Sequence, residues 1–239
     1  RWSASKKQRI RSSRVEGTRL LCETLATSSH PPKVLVCASA IGFYGDQGDE
    51  ILDETSGTGS GFLADVVREW EEATEPCRAR GIRVVNLRIG VVLSPAGGAL
   101  SRLMPVFNSG AAGIVGNGKQ YVSWISMDDL LRVVHHALED ESLEGPVNAV
   151  APHPVTNEEL TKTLGHVLKR PSLMRVPAFA LRMALGELAE ETVLASTRVI
   201  PKRLLQRNFN FRYPHLEPAL RHVLGRNVEI DRHSDSYKR

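Results

Sequence analysis

The side chains of this sequence that could do chemistry fall into a few groups. Ser39 follows the apolar run Lys33-Val34-Leu35-Val36-Cys37-Ala38, and Tyr44 comes five residues later. Ala38 and Ser39 would then sit at the C-terminal end of a buried strand, where open parallel sheets hold their ligands. Arg88, Gly90, Val91 and Val92 stand at the matching end of a second apolar run. A guanidinium there could pair with a phosphate or with a carboxylate of the protein itself. Gly57-Thr58-Gly59-Ser60-Gly61 precedes a helix, as a phosphate-cradling loop does, but it follows a long loop rather than a strand. Asp128-Asp129 and His135-His136 invite a metal. Two adjacent acids opening a helix serve as cap and dipole partners, and adjacent helical histidines cannot face one ion. No metal site is expected. Cys22, Cys37 and Cys77 are scattered, odd in number and without a CxxC pair. That argues against a disulfide framework and fits an intracellular, reducing compartment, cytoplasm or organelle.

These residues need a scaffold. Ile10, Val15, Leu20, Leu21 and Leu25 predict a helix over 5–27, which Ser28-Ser29-His30-Pro31-Pro32 ends. The run 33–38 reads as a strand buried on both faces. A long loop, 39–61, leads to a helix predicted from Phe62 to Arg80, stopped by Gly81. Arg83 to Val92 is the next buried strand. Beyond Pro95, glycines punctuate a segment whose apolar runs, Leu103–Phe107 and Tyr121–Ile125, look too brief for sheet-core strands. Ser126 and Asp129 have capping spacing for a helix to about Glu139, and Thr156-Asn157-Glu158-Glu159 is a capping box. Val147–Val150 reads as a short strand, Pro177–Ala195 as a helix and Leu216–Leu224 as the last one.

No apolar stretch approaches the roughly 18–20 residues of a membrane helix, so no membrane partner is expected. Residues 1–14 carry six Lys/Arg and no acid, and residues 200–239 carry nine basic and four acidic side chains. Basic ends suit an anionic partner. With aromatics at 5% and no groove-reading motif, nucleic acid is not expected.

Four signatures occur in order: Val36-Cys37-Ala38-Ser39-Ala40 with Tyr44-Gly45; Leu87-Arg88-Ile89-Gly90-Val91-Val92-Leu93; Gly116-Asn117-Gly118-Lys119-Gln120 with Trp124 to Leu130; and Gly145-Pro146-Val147-Asn148 with Val155 to Leu160. Together they resemble the extended short-chain dehydrogenases/reductases, the superfamily of nucleotide-sugar epimerases and dehydratases. Arg1-Trp2, Phe62 to Glu71, Val199-Ile200-Pro201-Lys202 and Asn208 to Pro214 resemble an atypical subgroup described as epimerase family proteins, sometimes as division-inhibitor-like. The resemblance covers roughly residues 1–225.

It implies an α/β fold: a Rossmann-like, doubly wound parallel sheet whose first βαβ units and glycine turn lie upstream of Arg1, with a small α-rich C-terminal substrate-side domain. The expected divisions are 1–95 (dinucleotide-binding domain), 96–125 (substrate-side insertion), 126–150 (return to the first domain), 151–225 (helical domain) and 226–239 (disordered tail). The implied cofactor is NADP. Arg14 matches the helix arginine that reaches it, Arg9 is a candidate one turn earlier, Ala38 and Ser39 stand at the strand end where such folds hold the cofactor, and Arg88, Gly90, Val91 and Val92 match residues lining the nicotinamide. Arg9 reads more readily as a surface charge, and Arg88 equally as a structural ion-pair partner.

The superfamily's proton transfer uses Ser, Tyr and Lys, the lysine lowering the pKa of a tyrosine in YxxxK. Ser39 matches the serine, whereas Phe62 and Val66 stand where Tyr and Lys belong. Tyr44, Tyr121 and Tyr213 are followed at +4 by Gly48, Ile125 and Glu217, so none restores the motif. Tyr44, Asp46 or Glu54 could substitute as the acid, or the site binds NADP without turnover. The expectation is an NADP-dependent oxidoreductase or epimerase-like enzyme acting on a small molecule, with Ser39 and Tyr44 catalytic; the alternative is a non-catalytic NADP-binding regulator. A homodimer is a further expectation, as is association through a sheet edge that the upstream strands would otherwise cover.

Overall fold

The computed structural model describes residues 1–172 and 174–226; the basic tail expected to be disordered lies, from residue 227 on, outside the described residues. Helix α1 (Ala4–Thr27), capped by Ser3, precedes strand β1 (Val34–Ala40) and a 3-10 turn, Ile41–Tyr44. A long loop holding β2 (Ile51–Leu52) leads to α2 (Phe62–Glu72) and α3 (Glu75–Ala79). Then come β3 (Arg83–Ile89), β4 (Val91–Leu93), α4 (Gly98–Asn108), β5 (Gly113–Val115), β6 (Tyr121–Val122), β7 (Trp124–Ser126), α5 (Met127–Glu139) and β8 (Gly145–Ala149). The C-terminal part holds β9 (Val155–Thr156), α6 (Asn157–Leu168), β10 (Met174–Val176), α7 (Ala178–Leu185), a π turn (Ala189–Val193), β11 (Arg198–Val199), α8 (Lys202–Gln206) and α9 (Leu216–Val223).

Strands β1, β3 and β8 form a parallel sheet in the order β1-β3-β8. Alternation along β3 assigns its two faces. Val85, Leu87 and Ile89 pack with Val36 and Val147 against Val133 and Ala137 of α5. Val84 points the other way, into a cluster with Leu35, Cys22 of α1 and Cys77 of α3. Helices therefore cover both faces, and the fold is the expected Rossmann-like α/β arrangement. Each fully buried Val or Leu contributes roughly 1.5–3 kcal/mol. The three cysteines, distant in sequence, are free; Cys22 and Cys77 share this buried cluster, and burial beside the Cys77 thiol pushes the Cys22 thiol up to about 12. Among the described residues β1 pairs on one side only.

Trp124 and Ile125 sit at a seam. Trp124 belongs to the core built with Leu100 and Phe107 of α4, Leu164 of α6 and Leu216 of α9, while Ile125 belongs to the sheet–α5 core. Asp129 strengthens this seam: its carboxylate accepts the N–H groups of Arg212 (2.7 Å) and Tyr213 (2.9 Å), and Ser126 caps α5 by accepting its N–H. Asp129 is thus a structural clamp, and no metal-holding group of His, Cys, Asp and Glu occurs among the described residues. No described helix is long and apolar enough to cross a membrane.

Several local expectations change. The helix predicted over 62–80 is two helices, because Pro76 cannot continue the ladder and starts a new one at its N1/N2 position. The strand predicted over 83–92 breaks at Gly90: β3 pairs with β1 and β8, whereas β4 pairs with β7. The run at 103–107 belongs to α4, which keeps Pro105 inside it because Leu100 and Phe107 are buried. The helix predicted from Pro177 to Ala195 stops at Gly186, which adopts φ +62°, and a π turn follows.

Candidate functional site

Three strands bring three polar residues into one row. In the parallel register Ser39 lies beside Arg88, and Arg88 beside Asn148. All three side chains share the sheet face opposite Val85 and Leu87, and Ser39, Arg88 and Asn148 are buried. A buried arginine needs a counter-charge. Glu71 supplies it from α2, where the helical spacing puts it one and two turns beyond the buried Val67 and Ala64. Arg88 donates to Glu71 from Nε (2.8 Å) and Nη2 (2.8 Å), a bidentate pair, and Ser39 donates its hydroxyl to the same carboxylate at 2.6 Å.

The 3-10 turn after β1 delivers the remaining partners. Phe43 lies under the Arg88 guanidinium at 3.5 Å from the ring centroid. The Tyr44 hydroxyl accepts from Arg88 Nη1 at 3.0 Å and donates to Asn148 Oδ1 at 2.8 Å, and the side chain is 0% exposed. Asn148 donates its backbone N–H to Glu54 (3.0 Å) and its amide to the Ile200 carbonyl (3.0 Å). Glu54 in turn accepts the Arg203 N–H. One continuous chain, Ser39–Glu71–Arg88–Tyr44–Asn148–Glu54, thus joins the sheet to α2 and to the segment before α8.

Burial is the dominant influence on these groups. It pushes the Tyr44 phenol up, against the lowering effect of Arg88 and Asn148. It also pushes the Glu54 carboxyl up, against the backbone N–H groups that favour its charge. Burial works against the charge of Arg88, but Glu71 and Tyr44 outweigh it and raise its pKa. A groove of about 540 Å³ reaches this chain through Phe43, Glu71 and Arg88.

Ser39, Tyr44 and Arg88 are therefore brought together. Ala38 is exposed at the end of β1 next to them. Gly90 is a packing residue: a Cβ there would stand 2.6 Å from the Ser123 carbonyl and 2.8 Å from Val150. Val91 packs on the Trp124 core and Val92 on the sheet–α5 core, both half-buried. Arg9 and Arg14 are exposed on α1. Arg14 lies 5.5 Å from the Trp70 ring and donates to Ile10 of its own helix, with no acidic partner among the described residues. Of the other acids weighed for proton transfer, Asp46 accepts the Ser196 N–H at 3.1 Å, and Glu54 is held as above. Glu71 and Asn148, the partners that complete the chain, were not singled out from the sequence. The signal for Glu71 was its place on the buried stripe of α2.

The positions of the superfamily's Tyr and Lys are apolar in space as well. Val66 is 1% exposed, and the Phe62 ring meets Trp2 edge-on at 5.2 Å with Lys7 Nζ 4.9 Å from its centroid. The N-terminus of α2 is already occupied by a carboxylate. Glu191, from the π turn, accepts the N–H groups of Phe62 (2.9 Å) and Leu63 (2.7 Å). Gly59 is needed because a Cβ would collide with the Tyr44 carbonyl at 2.0 Å. Gly59 and Gly61 thus serve chain packing and the contact with Glu191 rather than a phosphate.

A second cleft, of about 410 Å³, opens among Asp46, Asp49, Asn117, Lys119 and Arg182, between the loop after β1, the turn after β5 and α7.

Comparison with known proteins agrees with this architecture. The sequence model of the NAD dependent epimerase/dehydratase family matches residues 1–150, and a domain of unknown function, DUF1731, matches residues 176–223. An epimerase family protein of Mycobacterium bovis is 42% identical over 226 residues, covering 95% of this chain and 74% of the relative. The crystal structure of human epimerase family protein SDR39U1 (isoform 2) with NADPH superposes with a TM-score of 0.88 at 31% identity, covering 94% of this chain and 76% of that one. A nucleoside-diphosphate sugar epimerase from Corynebacterium glutamicum superposes with a TM-score of 0.80 at 38% identity, covering 97% of this chain and 46% of that one.

Proposed function

The chain belongs to the NAD dependent epimerase/dehydratase family, and on that footing we propose that it is an NADP-binding protein whose site holds the dinucleotide without transferring a proton. The single observation that carries this reading is the fate of the proton-transfer residues. Ser39 gives its hydroxyl to Glu71, Tyr44 is wholly buried between Arg88 and Asn148, and Phe62 and Val66 cannot ionise. A general acid must come within hydrogen-bond reach of the substrate oxygen. The groups of this network reach one another instead.

The residues fit part of the cofactor. Arg14, exposed and without a carboxylate partner among the described residues, suits the extra phosphate that distinguishes NADP from NAD. The strand end at Ala38 and Ser39 suits the nicotinamide half. The pyrophosphate finds no strand–glycine turn–helix among the described residues, since the α2 N-terminus holds Glu191. When bound, the nicotinamide would supply or accept hydride; the chain's own residues orient the ring and exclude water around Ser39 and Arg88.

A second reading is an oxidoreductase or epimerase-like enzyme with Ser39 and Tyr44 catalytic; the 410 Å³ cleft, which neither side chain lines, has mixed charges that suit a polar small molecule. Calorimetric NADPH binding alongside an NADPH-oxidation assay over sugar-nucleotide and carbonyl substrates separates the two. Binding without substrate-dependent oxidation is expected. Oxidation that Tyr44→Phe abolishes while NADPH affinity persists would sink the binding-only reading.

A further inference from the structure

We propose that the N-terminal ends of β3 and β8 form a second binding site, for the phosphate group of a small phosphate monoester. A cleft of about 430 Å³ opens there, and its charged lining is Arg78, Arg83, Arg203 and Glu144. The volume is in the range of small-molecule sites and exceeds what a bare anion needs.

The guanidiniums of Arg83 and Arg203 differ from that of Arg88 in one respect: among the described residues no carboxylate hydrogen-bonds either of them. Arg83 donates from Nη1 to the carbonyls of Ala137 (2.9 Å) and Leu143 (2.7 Å) and from Nη2 to that of Leu138 (3.1 Å). Arg203 donates from Nη1 to the carbonyls of Glu144 (2.5 Å) and Pro146 (2.8 Å). Carbonyl oxygens fix the orientation of a guanidinium without neutralising it. Arg83 Nε and the Nε and Nη2 groups of Arg203 keep their N–H donors free among the described residues. Arg78 reaches only the exposed Glu75, at 3.6 Å. Held forks with spare donors match the oxygens of a phosphate, and two of the three are already immobilised, which lowers the entropy lost on binding.

Gly145, in the lining, and Asn86, buried two residues beyond the lining residue Val84, point the same way. Gly145 takes φ +73°, which favours glycine, and a Cβ there would project to 3.6 Å from Arg203 Nη1. Asn86 follows Val84 on the same face of β3 and lies beside Pro146 in register. It is 1% exposed, and neither its amide nitrogen nor its amide oxygen has a partner. Buried amides of this kind are rare and call for water or ligand nearby.

The cleft adjoins the groove that reaches Arg88, with which it shares Arg78 and Gly145, but its centre lies at the other end of the strands. The strands are parallel, and Arg83 and Arg88 are five residues apart on β3, roughly 16 Å at strand rise. The two ligands would occupy opposite ends of one sheet.

The test is calorimetry and thermal shift with inorganic phosphate against chloride at matched ionic strength, with and without saturating NADPH. Saturable stabilisation by phosphate alone, unchanged by NADPH, is expected. Arg78→Gln, an exposed change that leaves the core intact, should weaken phosphate binding about tenfold and leave NADPH affinity as it is. Arg203→Lys keeps the charge and loses the fork, and should weaken phosphate at least as much; if it does not fold, Arg78→Gln decides. Equal effects of phosphate and chloride, unchanged phosphate affinity in Arg78→Gln, or competition by NADPH would each overturn the proposal.

Discussion

The two ends of the β1-β3-β8 sheet treat arginine in opposite ways. At the C-terminal end Arg88 is 4% exposed and meets a bidentate carboxylate, a phenol and an aromatic face. At the N-terminal end Arg83 and Arg203 are half-exposed and meet only carbonyl oxygens. At the first end the polar side chains are spent on one another; at the second, Arg83 and Arg203 keep N–H donors to spare. A conspicuous polar cluster at the place where a fold binds ligands is not by itself a catalytic one. What matters is whether its donors and acceptors are already spent on one another.

The sharpest way to break this contrast is to remove Glu71. Glu71→Ala leaves Arg88 buried and uncompensated and should cost about 3–5 kcal/mol, read by urea denaturation. A loss below about 1 kcal/mol would mean that the pair is wet and available. Tyr44→Phe should cost about 1–3 kcal/mol, because Asn148 Oδ1 loses its donor in a closed site, while NADPH affinity is unchanged. The same measurement on Arg78→Gln at the other end should stay within roughly 0.5 kcal/mol of the parent, which sharpens the contrast between spent and spare guanidiniums.

The smallest effect is expected in acid. The Lys202 ammonium and the Thr55 hydroxyl hold the Asp53 carboxyl down at about 2. A depressed carboxylate stabilises the fold above its unfolded pKa and loses that contribution as pH falls through the folded value. Stability should therefore decline from the ordinary carboxylate range toward pH 2, more shallowly in Lys202→Met. Equal acid profiles for parent and variant would remove Asp53 from the account.

Much of the fold was legible in residue types. The run Val34 to Ala38 is apolar without alternation, as a strand covered on both faces must be, and the Thr156–Glu159 capping box forms as written. Helix α4 was not legible, because Gly97, Gly98 and Pro105 argue against a helix locally and only its packing on α6 and α9 overrides them. The break at Gly90 was also hidden, since what forbids a side chain there is Ser123, a residue from β7's neighbourhood. Within the candidate site, Ser39, Tyr44 and Arg88 stood out by their positions at strand ends. Their partners did not: Glu71 is 32 residues from Ser39, and Asn148 is 104 from Tyr44.

The sequence by itself determined the family, the parallel strands, the capped helices and the absence of a YxxxK pair, because these depend on residue type at short spacing. Only the tertiary structure decided what the polar residues do. Burial and counter-charge are set by neighbours brought in from distant segments: a guanidinium that meets Glu71 is a structural ion, and one that meets only carbonyls keeps donors to spare.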